Sequence, residues 1–342
     1  MKNTTKLRLF SGFLLCLFTA FGLAQGPPIP RGDLLPAIAV QEMHTLDLMD
    51  RFPDVIGTGV SVSEAGEPII RVYLKTPGAR GLPGALDGIP LVPYVTGEIV
   101  ARKGPPPNKG PQPEVDPTAR FPRPVPIGVS TGHPDITAGT IGARVTDGVN
   151  VYALSNNHVY ADENRASIGD SVLQPGAFDG GIDPDDMIGT LSDFEPIFFY
   201  PYGINFIDAA IALSSPDLLD NATPADGYGE PRSLTVSPAV GMRVKKYGRT
   251  TGQTKGRIDS INAILFVQYE SGLALFYDQF VIIPGNFSAP GDSGSLIVVD
   301  RGEHSDKPVG LLFAGSMTAT IANPIDFVLG TFGVWVDGPA VK

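Results

Sequence analysis

Three residues have the types and setting for nucleophilic catalysis. His158 sits in Ser155-Asn156-Asn157-His158-Val159, Asp208 in Ile207-Asp208-Ala209-Ala210-Ile211, and Ser293 in Gly291-Asp292-Ser293-Gly294-Ser295. A serine hydroxyl is a poor nucleophile at neutral pH; it needs a base within hydrogen-bond reach and a third group to orient that base. His158 supplies the base. A carboxylate among apolar residues, as Asp208 is, costs free energy to bury unless paired. An imidazole N–H satisfies it and fixes the tautomer that accepts the serine proton. Gly291 and Gly294 let the backbone turn tightly around Ser293. In such a turn the N–H groups of Gly291 and Ser293 can face the oxyanion of a tetrahedral intermediate, one such donor being worth about 3–4 kcal/mol. Asp292, inside the same turn, calls for an internal ion pair that holds the oxyanion loop. Each residue alone has a plainer reading: a lone histidine is more often structural, and Gly-Asp-Ser-Gly suits any tight turn between strands. The three in this order favour chemistry.

The remaining histidines lie in less suitable places: His44 in an N-terminal helical pattern, His133 beside a proline, and His304 in a charged turn. The rival carboxylates Asp179, Asp183, Asp185 and Asp186 share a run with Gly180, Gly181 and Pro184. Clustered oxygens of this kind can bind calcium, but the run lacks the ordered spacing of a calcium loop. A solvated acidic loop is the favoured reading, with no metal expected.

The elements that must position these residues are mostly strands. The chain has 342 residues with 41 glycines and 33 prolines, above average usage for both. Short alternating apolar stretches broken by Gly, Asp, Asn and Pro dominate, which reads as antiparallel β. Strands are expected over 136–145, 149–155, 187–191 and 206–213, and a second set over 242–247, 255–268, 274–283, 295–299, 308–314 and 318–325. Two successive sets suit two antiparallel barrels, residues 127–215 and 216–342, with the site between them. Ahead of them, residues 25–101 read as a small separate α+β unit. It has a helix over 34–52 with apolar positions Leu35, Ile38, Val40, Met43, Leu46, Leu48 and Met49, a hairpin turning at 64–67, and a strand over 89–100. Residues 102–126 hold Lys103-Gly104-Pro105-Pro106-Pro107-Asn108-Lys109-Gly110-Pro111, which is expected to be an extended, solvated linker.

The N-terminus reads as a secretory signal over residues 1–24: Lys2, Lys6 and Arg8, then an apolar run to Leu23, then small residues. That run is short for a spanning helix, so a membrane anchor is the weaker reading. The single cysteine, Cys16, lies inside it behind Leu14 and Leu15, which is a poor context for lipid attachment. The expected mature protein is secreted or periplasmic, free of the membrane, and without disulfides. Cleavage removes three basic residues and no acidic one from a chain of formal charge −11, leaving about −14. That balance argues against nucleic-acid binding by bulk charge.

With these residues in place, the chain resembles the trypsin-like (chymotrypsin-fold, PA-clan) serine peptidases. The likeness rests on the His158 segment, on Ile207-Asp208-Ala209-Ala210-Ile211-Ala212 and on Pro290-Gly291-Asp292-Ser293-Gly294-Ser295. A fourth stretch, Val244-Lys245-Lys246-Tyr247-Gly248-Arg249-Thr250-Thr251-Gly252, is similar to a segment of the bacterial α-lytic protease and streptogrisin group. The match spans about residues 127–336. It implies a serine endopeptidase acting on polypeptides through an acyl-enzyme, without a cofactor. It also implies that a basic residue of the fourth stretch, Lys246 or else Arg249, pairs with Asp292. By the same resemblance the primary specificity pocket is lined near Phe287 and Ser288 and by Phe313, Ala314, Gly315 and Ser316. No acidic residue there would select Lys or Arg, which favours a small or apolar residue before the scissile bond. Two features depart from the group: Asn156 and Asn157 replace the usual small residues before the histidine, and the group's disulfides are absent. Many members carry an N-terminal pro-region. By position residues 25–101 could be one, although a permanent accessory domain is the favoured reading.

Three rival readings arise. Gly128-Val129-Ser130-Thr131-Gly132 matches the nucleophile elbow of α/β-hydrolases, with Asp208 and His304 following in order. Prolines on both sides, at 124, 126 and 134, exclude the strand and helix that such an elbow needs. A catalytically inactive binding protein on the same scaffold is the alternative from another class. An esterase using the same three residues is the third.

Overall fold

The computed structural model describes residues 27–101 and 113–340. The expected signal over 1–24, Cys16 and linker residues 102–112 lie outside the described residues. The chain is mainly β.

Following a 3-10 turn, α1 (Leu35–Arg51) carries a proline in its first turn, where the missing N–H costs nothing. Its buried face is Ala37, Ile38, Gln41, Thr45 and Leu48. This corrects the apolar face expected from sequence: Leu35, Met43 and Leu46 are exposed. The face is set by a polar network. Gln41 donates to Thr58 (2.8 Å), the Thr45 and Thr58 hydroxyls pair (2.6 Å), and Asn262 donates to Gln41 (2.8 Å). Buried polar groups that find each other this way cost little to bury.

The N-terminal strands are β1 (Val55–Val62), β2 (Pro68–Leu74), β3 (Ala85–Leu86) and β4 (Ile89–Val95). Then come β5 (Ser130–Thr131), β6 (Gly139–Thr140), β7 (Ala143–Thr146), β8 (Val151–Ser155), the one-turn helix α2 (Asn157–Tyr160), β9 (Ser171–Leu173), β10 (Met187–Phe194) and β11 (Ala210–Ser214). The C-terminal half holds β12 (Arg243–Gly248), β13 (Gly252–Gln268), β14 (Leu273–Ile283), β15 (Leu296–Val299), β16 (Pro308–Gly315), β17 (Thr320–Pro324), α3 (Ile325–Phe332) and β18 (Trp335–Val336).

These strands form two main sheets. In the larger, β12, β15, β16, β17, β14 and β13 follow one another, and β12 also pairs with β13, so the six return on themselves. The second sheet runs β18-β7-β8-β11-β10-β9, with β5 and β6 as a separate hairpin bridged to it by Gly132 and Leu173.

Three expected boundaries shift. First, residues 27–101 do not stand apart, because β1 pairs antiparallel with β13 and extends the larger sheet through β2, β4 and β3. Leu34, Ala37, Ile38 and Val60 share one core with Val244, Ile258, Phe280 and Ile297. Second, β18 pairs with β7, so the C-terminus returns to the second, six-stranded sheet, where Val328, Val334 and Val336 pack with Val145 and Leu154. Third, residues 113–126 of the expected solvated linker are attached to the body: Arg120 forks onto Asp186 (2.6 and 2.7 Å), and Val125 is buried and bridges Leu219.

Candidate active site

His158 is delivered by α2, one turn that begins as β8 ends. Asn156 starts that turn in extended conformation, and its carbonyl accepts the Tyr160 N–H. The two asparagines that depart from the expected small residues are buried and bonded. The Asn156 side chain donates to the Asp208 carbonyl (2.7 Å), and that of Asn157 donates to the Glu195 carbonyl (2.7 Å). They tie the histidine turn to the neighbouring chain.

Asp208 precedes β11 and is fully buried. Its Oδ2 accepts from His158 Nδ1 at 2.6 Å and from the Tyr269 hydroxyl at 2.8 Å, while Oδ1 accepts the His158 backbone N–H at 3.2 Å. Charge-assisted bonds of this kind are the strong ones. The Asp208 N–H donates to Asn323 Oδ1 (3.1 Å), and Asn323 donates to Gln279 (2.6 Å). Burial, and then the Asp208 charge, push the Tyr269 phenol well above its ordinary value, so Tyr269 stays a donor. Its ring stands edge-on to His158 at 6.0 Å. Sequence reasoning missed Tyr269: it follows the last residue of β13, 61 residues after Asp208, and no local pattern marks it.

Ser293 lies in the turn before β15. Gly291 and Gly294 both have φ +94°, a region that disfavours side chains. A Cβ at 294 would meet the Thr140 carbonyl at 2.3 Å, and one at 291 would meet Thr250 Oγ1 at 2.6 Å, so both positions need glycine. The Ser293 carbonyl accepts the Thr140 N–H (2.8 Å). Neither the Gly291 nor the Ser293 N–H has an acceptor among the described residues. Ser293 Oγ lies 3.5 Å from the Phe313 carbonyl, and the buried His158 Nε2 has no partner among the described residues. The structure therefore joins His158 to Asp208 but leaves the Ser293–His158 bond unmade. A buried ring nitrogen without a partner costs about 1–3 kcal/mol. Such bonds are often loose before substrate binds.

Asp292 and Lys246 are both fully buried, with Lys246 Nζ 3.4 Å from Asp292 Oδ2. Asp292 also accepts from the Thr250 N–H (2.9 Å), the Thr251 hydroxyl (2.7 Å) and the Ala289 N–H (2.9 Å). Lys246 donates to the Thr251 hydroxyl and to the Gly252 carbonyl. Burial pushes the Lys246 ammonium below its ordinary value, and the Asp292 charge works against that fall. Arg249, the other candidate, does not join this pair. It forks onto Asp179 (2.5 and 2.8 Å) over the Phe178 ring. Asp179 and Asp186 are thus engaged by Arg249 and Arg120, which corrects the solvated-loop expectation for those two. No cluster of three or more His, Cys, Asp or Glu side chains able to hold a metal occurs among the described residues.

A family model for the Nal1 C-terminal domain matches residues 232–322, a stretch that contains Lys246, Asp292 and Ser293 but neither His158 nor Asp208. No curated protein sequence matches the chain. Solved structures similar to it are bacterial serine proteases. A glutamic acid-specific serine protease, described as using a histidine triad in substrate binding, is 20% identical over 62% of this chain and 100% of its own, with TM-score 0.44. Protease A of Thermobifida fusca is 19% identical over 63% of this chain and 100% of its own, with TM-score 0.44. A Nocardiopsis protease is 17% identical over 62% and 99%, with TM-score 0.42. At these identities the likeness concerns the course of the chain, not its chemistry.

The residues expected to line a specificity pocket divide. Phe287 and Phe313 are core side chains: Phe287 is buried among Ile258, Phe280 and Ile282, and Phe313 packs on Phe276 at 4.7 Å. Ser288 bonds Thr320 (2.6 Å), and Ser316 Oγ accepts the Thr318 N–H (3.2 Å). Gly315 is bonded through its backbone to Val100. Both rings are fully buried, so Phe287 and Phe313 are corrected as pocket residues.

Proposed function

We propose that the chain is a serine endopeptidase with His158, Asp208 and Ser293 as its catalytic residues. One observation carries the reading. A buried carboxylate holds His158 through Nδ1 and leaves Nε2, without a partner among the described residues, as the basic nitrogen, while the glycine-framed turn of Ser293 packs at Gly294 against Ser155, three residues before the histidine. Ser293 Oγ attacks a peptide carbonyl carbon while Nε2 takes the hydroxyl proton. Asp208 stabilises the imidazolium. The free N–H groups of Gly291 and Ser293 receive the oxyanion. Collapse expels the amine, which takes the proton from Nε2 and leaves an acyl-Ser293 ester. Water, deprotonated by the same nitrogen, then releases the acid. The Lys246–Asp292 pair holds the turn. The substrate is polypeptide, and the signal expected over residues 1–24 would carry the protein out of the cytoplasm. No described helix is long and apolar enough to cross a membrane.

The test is labelling by a fluorophosphonate probe. Wild type should label and Ser293→Ala should not. A chain that stays unlabelled both intact and with its linker cut is an inactive scaffold, the reading that the Ser293 contact to Phe313 favours.

Tyr269 has a measurable part in this scheme as a positioning residue. A hydrogen bond to a charged group contributes about 1.5–3 kcal/mol, so Tyr269→Phe, which keeps the ring, should lower kcat about tenfold or more with KM unchanged. A rise in KM at constant kcat would remove Tyr269 from the orienting role.

A further inference from the structure

The end of β16 is an open sheet edge beside Ser293, and the chain itself occupies it. β15 pairs with β16 as far as Leu296 opposite Leu311, and Ser295 and Gly294 carry the bonding on to Leu312. Beyond that point Val100 takes the place of a neighbouring strand. Its N–H donates to the Gly315 carbonyl (3.1 Å), and its carbonyl accepts the Gly315 N–H (3.0 Å), in antiparallel register. On its other side the segment is bonded to the end of β13. Ala101 N–H donates to the Gln268 carbonyl (3.0 Å), and Gln268 N–H donates to the Ile99 carbonyl (2.9 Å). Ile99 and Ala101 are buried in the same core as Phe313 and Ala314. Farther back, the Thr318 hydroxyl donates to the Val95 carbonyl (3.3 Å) and Tyr94 donates to the Thr318 carbonyl (3.3 Å).

The position of this edge is what matters. Phe313, whose carbonyl faces Ser293 Oγ at 3.5 Å, lies two residues from Gly315, roughly 7 Å along a strand. Because the register is antiparallel, residues 99–101 run towards that carbonyl. An extended polypeptide recruited to this edge would use the same N–H and C=O of Gly315, and each accepts only one strand at a time. The two reacting side chains are also closed off: His158 is 2% and Ser293 3% exposed.

We propose that residues 99–101 are a built-in substrate mimic, and that the chain as described is a latent form in which this strand excludes extended peptides from the edge beside Ser293. This rests on the serine peptidase reading. A tethered strand competes at an effective concentration of about millimolar, so a free peptide of ordinary affinity would not displace it. Release or movement of the strand is the activating event.

The test uses the full chain and two readouts on wild type and Val100→Pro, a change that removes the N–H donated to Gly315. One readout is the rate of fluorophosphonate labelling. The other, on a Ser293→Ala background, is the anisotropy-measured affinity for a fluorescent peptide copying residues 96–101, which requires no reaction. Both should rise at least tenfold in Val100→Pro, with the fold checked by circular dichroism. Equal labelling and equal binding in the two proteins would overturn the occlusion and leave Ser293 as the nucleophile. Raised peptide binding with no labelling in either would keep the occlusion and remove the peptidase reading. No labelling with unchanged binding would overturn both. If Val100→Pro does not fold, Ile99→Ala, which removes a buried anchor and leaves the backbone bonds, should shift both readouts the same way by a smaller factor; no shift would overturn the proposal.

Discussion

Asp208→Asn is expected to lower kcat about ten-thousand-fold while leaving the fold in place. The geometry gives the reason. Asp208 Oδ2 takes the His158 Nδ1–H and the Tyr269 hydroxyl, while Oδ1 takes the His158 backbone N–H. An amide has one acceptor oxygen to cover donors on both sides. If its oxygen faces the imidazole, its NH2 meets the backbone N–H as two opposed donors. If it turns over, the NH2 donates to Nδ1 and drives the ring proton onto Nε2. That nitrogen can then no longer accept from Ser293. The stability cost is the mismatch of one buried donor, about 1–3 kcal/mol, and most domains survive it. Peptide-substrate kinetics and urea unfolding, run on the same preparation, separate the two effects. Activity within tenfold of wild type would exclude Asp208 as the orienting acid.

The second large effect concerns stability. Lys246→Met leaves Asp292 charged, fully buried and without its counter-ion, a situation that costs about 3–5 kcal/mol. The four hydrogen bonds that Asp292 accepts from Thr250, Thr251 and Ala289 hold it in place but do not neutralise it. Lys246→Met with Asp292→Asn should therefore be more stable than Lys246→Met alone, because the second change removes the stranded charge. Urea unfolding of the two single variants and the double gives the coupling. Additive losses would mean that the 3.4 Å separation carries no net attraction. Arg249→Met should show no such rescue by Asp292→Asn, since its partner is Asp179.

How much of this was legible follows from which contacts are local. The turn around Ser293 was readable because glycine is demanded by backbone geometry within five residues. The hairpin of β1 and β2 was readable from one turn. The choice between Lys246 and Arg249 could have been made by alternation: Lys246 shares a face of β12 with buried Val244, whereas Arg249 lies past the strand's end. Pairing between distant strands was not readable. Nothing local to residues 55–62 announces that β13, some two hundred residues later, is their neighbour, so residues 25–101 read as separate. The face of α1 failed for another reason. Gln41 and Thr45 behave as core residues only because Thr58 and Asn262 meet them, and an apolar count cannot see a partner on another element. Phe287 and Phe313 were assigned by position in a resemblance, and their size sent them inward.

The end of β13 limits how this protein could be re-engineered. Gln268 holds residues 99–101 through its backbone, and the next residue, Tyr269, holds the acid. On the proposed reading, the strand that occupies the edge beside Ser293 and the phenol that holds Asp208 meet at one peptide bond. An insertion or a proline at 268, chosen to loosen the grip on bound chain, would also displace the phenol, so libraries aimed at new cleavage preferences should leave this junction alone and vary the turn at Ser316–Thr318 instead.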